Sequence, residues 1–193
     1  RRARISPISA SSSRTRRPGF DVPVYAMPSD PIRAWPDDVP ASERKGRPPL
    51  GRYDEADRFV LYHDRAASED GALNGIAPII AWAADPVEFF FLQIQGTGRL
   101  RSPEGDVIRI GYAGQNGREY IGIGGVMRER GLLGEGPDKY AGSMQGIMAY
   151  IRQNPREGRD LMRLNKSWIF FNELKGDGPL GALGVPVRRE ASV

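Results

Sequence analysis

The stretch Val87–Tyr120 constrains the fold more than any other part of the chain. A dense apolar block, Phe89-Phe90-Phe91-Leu92 with Ile94, leads into Gln95-Gly96-Thr97-Gly98-Arg99, a turn at Ser102–Asp106, and an alternating segment, Val107-Ile108-Arg109-Ile110-Gly111-Tyr112. Alternation of apolar and polar residues marks a strand with one buried face, and a serine-, proline- and glycine-bearing turn between apolar runs marks a hairpin. The pattern predicts a strand over 87–95, the turn, and a second strand from Val107. Ala113-Gly114-Gln115-Asn116-Gly117 follows, so glycines and side-chain amides gather where the strands finish, a usual place for binding groups.

The rest of the chain agrees with a fold that is mainly β with a few short helices. Its 24 glycines and 16 prolines favour strands and turns over long helices. Prolines at 28, 31, 36, 40, 48 and 49 forbid a helix or central strand across 26–50, which reads as a long crossover. Short strands are expected at 20–25, 58–62, 79–83 and 168–171. Asp64 is a candidate cap for a helix from Arg65 to Leu73, and Ser143 for one over 144–153. Asn154-Pro155 with Glu157 reads as the start of a helix over 155–164. A helix over 119–130 carries Ile123, Val126 and Met127 inward and stops at Gly131. The glycine-rich 176–184 precedes an extended Val185-Pro186-Val187.

Charge separates the ends of the chain. The net charge is +4, yet residues 1–50 hold ten Lys and Arg against five Asp and Glu, so the remainder is slightly acidic. The arm reads as solvated and partly disordered. Nucleic acid is not expected as a partner, because the central region shows no basic stripe in its sequence. Zero cysteines exclude disulfides, a thiol nucleophile and a cysteine zinc site. No run of about 18 apolar residues is present to form a transmembrane segment, and no signal-peptide pattern is visible. The chain opens on Arg1 rather than Met and is expected to be a fragment or a processed product.

The single histidine, His63, closes most routes to a catalytic triad or a His-rich metal site. A glycosidase would need two carboxylates across a sugar bond, and of the acids in the organised region Glu88 and Glu119 are the ones to test. Neutral hydrogen-bonding groups are more abundant. Gln93 and Gln95 share one face of the expected strand, Gln115, Asn116 and Gln145 add amides, and Tyr112 and Tyr120 add flat rings. Such groups hold sugars, but equally they cap turns and fill cores, and the residues themselves leave both readings open. Gln95-Gly96-Thr97-Gly98 lacks the Gly-Lys-Ser/Thr ending of a phosphate loop.

Four segments in order carry a resemblance: Phe91 to Leu100, Gly111 to Gly117, Ser143-Met144-Gln145, and Gly181-Ala182-Leu183-Gly184-Val185-Pro186. With Arg14-Thr15-Arg16, Val22-Pro23-Val24-Tyr25, Asp64-Arg65 and Gly71-Ala72-Leu73, the chain resembles the membrane-bound lytic murein transglycosylase A family. The resemblance implies cleavage between N-acetylmuramic acid and N-acetylglucosamine, without metal or cofactor. An aspartate first acts as acid and then as base on the muramyl C6 hydroxyl, closing a 1,6-anhydro ring. It also implies a double-psi β-barrel carrying that aspartate, with a β-rich domain inserted into it and the glycan held between them. On that layout 1–28 is a flank of the barrel, 29–172 the inserted domain, and 173–193 the start of the return, so the barrel is incomplete here. The catalytic segment is expected beyond Val193, and no aspartate of this chain takes the role by correspondence. Implied glycan contacts are Gln93, Gln95, Gly96, Thr97, Gly98, Tyr112, Gly114, Asn116, Tyr120 and Gln145. The implied partner is peptidoglycan, in the periplasm or at the outer membrane, engaged by a monomer; the alternative is a non-catalytic carbohydrate-binding module.

Overall fold

The structure, a computed structural model, describes residues 9–175. In chain order it contains β1 (Ser9–Ser13), β2 (Val22–Tyr25), β3 (Ile32–Arg33), β4 (Leu50–Tyr53), β5 (Phe59–Leu61), α1 (Arg65–Glu69) and β6 (Ile79–Ala83). Then come α2 (Pro86–Gln95), β7 (Thr97–Arg101), β8 (Val107–Gln115), α3 (Ile123–Glu129), α4 (Met144–Gln153), α5 (Pro155–Leu164) and β9 (Ile169–Glu173). Six strands form one sheet in the order β2-β6-β1-β7-β8-β9, and β3-β4-β5 form a second. The β1–β7 pair is parallel; the other pairs are antiparallel. This is the expected mainly β architecture with a few short helices. The expected features at 176–187 lie outside the described residues.

Two expectations fail for identifiable reasons. Ser9–Ser13, read as part of a loose arm, is an inner strand between β6 and β7. Its small side chains let neighbours close over it, with Ala10 and Ser12 each 1% exposed. The apolar run after Asp85 is the helix α2, not a strand. The Asp85 carboxylate accepts from the Val87 and Glu88 amides at 2.7 and 3.2 Å, Pro86 occupies the first turn, and Gly96 ends the helix at φ 72°. Glycine takes that left-handed conformation without a Cβ clash. The helix is apolar nearly all round because it lies between two cores. Phe89 and Leu92 pack under the sheet with Leu100, Ile110, Trp168 and Phe171. Val87, Phe90 and Phe91 face the other way, onto Ile123, Met127, Ile151 and Leu161 of the helical layer.

Most other elements fall close to where their signals place them. The Asp64 side chain accepts from the Ala67 amide and Ser143 from the Gly146 amide. Asn154 differs: its side chain donates to the Tyr150 carbonyl at the end of α4, so α5 starts on Pro155 without a side-chain cap. Where α5 crosses α4, a Cβ on Gly158 would come within 2.7 Å of the Ile151 Cα. Gly158→Ala therefore forces the helices apart, and thermal unfolding should show a loss of about 2 kcal/mol despite alanine's better helix propensity.

Candidate functional site

The loop between α2 and β7 and the paired end of β8 build one surface. Gly96 turns the chain out of α2 so that Thr97 begins β7 opposite Gly111. A Cβ on Gly96 would stand 3.9 Å from the Cβ of Tyr112, whose ring is 54% exposed. Ile94 is partly exposed beside it, Thr97 is exposed, and Gln95 and Gly96 are half-buried. The result is an open aromatic ring with a hydroxyl, an amide and close-lying backbone at one end of a hairpin. This composition suits the apolar faces and hydroxyls of a sugar, since an exposed tyrosine offers both a flat face and a polar edge.

Two expected glycan contacts are turned inward. Gln93 is 1% exposed; its Oε1 accepts from Arg65 Nη1 at 2.7 Å and its Nε2 donates to the Ile169 carbonyl at 3.2 Å. Gln93 and Gln95 lie on a helix, where residues two apart point nearly opposite ways, so the shared face expected of a strand does not exist. Asn116 is 0% exposed. Its Nδ2 donates to the His63 and Lys166 carbonyls at 2.8 and 2.9 Å, and its Oδ1 accepts from the Trp168 and Arg118 amides at 2.9 and 3.2 Å. It joins the loop before α1, the end of β8 and the entry to β9.

The remaining expected contacts scatter. Gly98 is buried in β7. Gly114 lies under Met27, whose sulfur would be 2.6 Å from a Cβ there. Tyr120, 59% exposed, sits in the loop before α3, and Gln145 is exposed in the first turn of α4. The residue that sequence reading missed is Arg65. As the first residue of a capped helix it reads as solvent-facing, yet it is 2% exposed, with its guanidinium 4.7 Å from the Phe90 ring and 5.2 Å from Trp168. Burial pulls its pKa down to about 10, which leaves it charged at neutral pH.

The carboxylates are arranged against acid catalysis. A general acid at neutral pH needs its pKa raised. Among the described residues every resolved carboxyl shift is downward: Asp54 by the Arg58 amide and guanidinium, Asp70 by Arg163, Glu104 to about 2 by its bond to Arg17, and Glu173 by Arg14. Glu88 shares Arg152 with Asp85 at 3.4 and 2.5 Å. Glu119 is exposed. His63 is pushed down chiefly by burial. A polar cleft of about 320 Å³ at the other end of the β7–β8 hairpin is lined by Ser12, Ser13, Arg14, Ser102 and Asp106, with Val107 and Ile108.

Residues 7–172 match the family model described as the MltA specific insert domain. The chain is 30% identical over 131 residues to membrane-bound lytic murein transglycosylase A of Vibrio cholerae, covering 67% of this chain and 34% of that protein. The crystal structure of MltA from Neisseria gonorrhoeae superposes with a TM-score of 0.73 at 37% identity, over 93% of this chain and 51% of that one. The Escherichia coli MltA structure with bound chitohexaose superposes at 0.65 and 25% identity, over 93% of this chain and 44% of that one. The chain thus spans about a third to a half of the length of these relatives.

Proposed function

Because the chain belongs to the MltA family through its specific insert domain, we propose that it supplies a glycan-holding wall of a lytic murein transglycosylase. The observation that carries this reading is the open surface of Tyr112, Thr97, Gln95 and Gly96, in a chain whose E. coli relative is described with bound chitohexaose. The reaction we assign to the whole protein cleaves the bond between N-acetylmuramic acid and N-acetylglucosamine and leaves a 1,6-anhydro end. The acid for that step comes from outside the described residues, whose resolved carboxyl groups all favour the ionised form. Residues 1–28 and 173–193 lead to and from a catalytic barrel, with 9–25 passing through the six-stranded sheet on the way. The site of action is the cell envelope. No helix among the described residues is long and apolar enough to cross a membrane.

The chain as given should bind glycan and not cut it. Incubated with purified peptidoglycan, it is expected to release no anhydro-muropeptides by mass spectrometry, while chitohexaose titration perturbs the amides of Gln95–Gly98 and Tyr112. Anhydro product from this chain would direct attention to Glu88 and Glu119. Tyr112→Ala should weaken chitohexaose binding by about 1 kcal/mol, roughly fivefold, through loss of ring contact. Its melting temperature should barely move, because the ring is exposed. Unchanged affinity in this variant would remove Tyr112 from the site.

A further inference from the structure

The register of the hairpin creates a basic face that cannot be seen in the sequence. Arg99 on β7 stands directly opposite Arg109 on β8, and Arg101 opposite Val107. On the other side, parallel β1 places Ser9 beside Arg99 and Ser11 beside Arg101. Paired residues of neighbouring strands point to the same face. Ser9, Ser11, Thr97, Arg99 and Arg101 are all exposed, while Ala10, Gly98 and Leu100 between them are buried. The acids nearest in the chain do not neutralise this row. Asp106 lies in the cleft with Arg14, Glu104 bonds Arg17, and Glu173 bonds Arg14. Arg99 and Arg101 have no ion pair among the described residues.

Like charges directly opposite on a sheet are destabilising, so an Arg–Arg pair is a cost to the fold that an anionic ligand would offset. The row also starts where the glycan surface ends. Thr97 belongs to both, and Arg99 and Arg101 follow at steps of about 6.7 Å along the same strand. Resting on the glycan reading above, the geometry points to a subsite for the stem peptide of peptidoglycan. The glycan backbone is otherwise largely neutral, and its peptide branches carry free carboxylates. With sugars on Tyr112 and Thr97, a branch runs along β7 and meets Arg99 and then Arg101. A guanidinium binds a carboxylate by two parallel hydrogen bonds, and the hydroxyls of Ser9 and Ser11 add donors. The cleft at the far end of the hairpin is the poorer place for the same ligand, because Asp106 lines it.

The test uses the whole chain with three soluble probes: chitohexaose, a peptidoglycan glycan of similar length bearing tetrapeptides, and the free tetrapeptide. Calorimetry gives affinities, and ¹⁵N spectra follow the Arg99 and Arg101 Nε groups, assigned by substitution. The peptide-bearing glycan should bind about fivefold tighter than chitohexaose, the advantage of roughly two exposed ion pairs. That advantage should vanish in Arg99→Gln/Arg101→Gln and in about 0.5 M salt. Chitohexaose affinity should stay unchanged, and the variant's melting temperature should be equal or higher. Equal binding of both glycans overturns the stem-peptide subsite and leaves the glycan reading standing. Loss of all glycan binding overturns the glycan reading, and the tetrapeptide still decides the arginines: shifted Nε signals keep the carboxylate site, unshifted ones remove it. Arginine-dependent binding to phosphatidylglycerol vesicles or to a DNA duplex, with no response to tetrapeptide, would assign the face to another polyanion and overturn the inference.

Discussion

Arg65→Met should destabilise the protein by about 4 kcal/mol, enough to leave much of it unfolded at physiological temperature. Arg65 Nη1 donates to Gln93 Oε1 at 2.7 Å, Nε to the Asn165 carbonyl at 2.9 Å, and Nη2 to the Ser167 carbonyl at 2.7 Å. These acceptors come from α2 and from the segment between α5 and β9, so one planar group ties both to α1. Methionine keeps most of the apolar volume, which isolates the polar loss. Each acceptor left buried without a donor costs about 1–3 kcal/mol, and the stacking of the guanidinium between Phe90 and Trp168 is lost as well. The nearest carboxylate, Glu69, is 3.9 Å away, so carbonyl oxygens and rings rather than an ion pair carry the arginine. Arg65→Lys should recover little, because an ammonium cannot present donors in the fork that these acceptors require. Urea unfolding of the three proteins checks this. A methionine variant within about 1 kcal/mol of the parent would mean that water or a local shift satisfies the orphaned carbonyls.

The second large effect belongs to Asn116. Asn116→Asp preserves shape and the acceptor for the Trp168 and Arg118 amides, but turns the group that donated to the His63 and Lys166 carbonyls into an acceptor facing acceptors. With the residue 0% exposed, a loss of about 3–4 kcal/mol is expected at pH 7. The variant also carries its own pH signature. Desolvation and two facing carbonyls raise the pKa of the new carboxyl in the folded state above its unfolded value, so the folded form binds the extra proton more readily. The damage should therefore be largest above the folded pKa and shrink as pH falls through it, because a protonated carboxyl regains one donor. Asn116→Leu, which cannot titrate, should lose stability without that recovery. Denaturation curves between pH 4 and 8, referenced to the parent at each pH, separate the two. An aspartate variant whose deficit is flat across the range would show that the side chain has moved out to solvent.

Both residues show where sequence reading stops. Asn116 and Gln93 were legible as amides among glycines at the end of an element, and nothing local distinguishes an amide that meets ligand from one that meets backbone. Gln93 accepts from Arg65 and donates to Ile169, and Asn116 contacts His63 and Lys166, all distant in the chain. The helix α2 was partly legible. Asp85-Pro86 is a start signal for a helix as much as a break after a strand. The run behind it shows no useful period, because Phe89 and Leu92 feed one core while Phe90 and Phe91 feed the other. An element buried on both sides has no polar stripe, and periodicity is silent about it.

The sequence by itself determined what local rules govern. Among these are the one-sided alternation of Val107–Ile110, the turn at Ser102–Asp106, the caps at Asp64 and Ser143, and the stop at Gly131. It also determined membership of the MltA family, because an ordered set of short motifs is a property of the string. Only the tertiary structure decided which groups are spent on the fold and which remain for a ligand. It buried Gln93, Asn116 and Arg65, left Tyr112 and Thr97 open, and through strand register set Arg99 against Arg109. Burial and register depend on which distant segments meet, and those contacts are settled by the simultaneous packing of both cores rather than by any residue's neighbours in the chain.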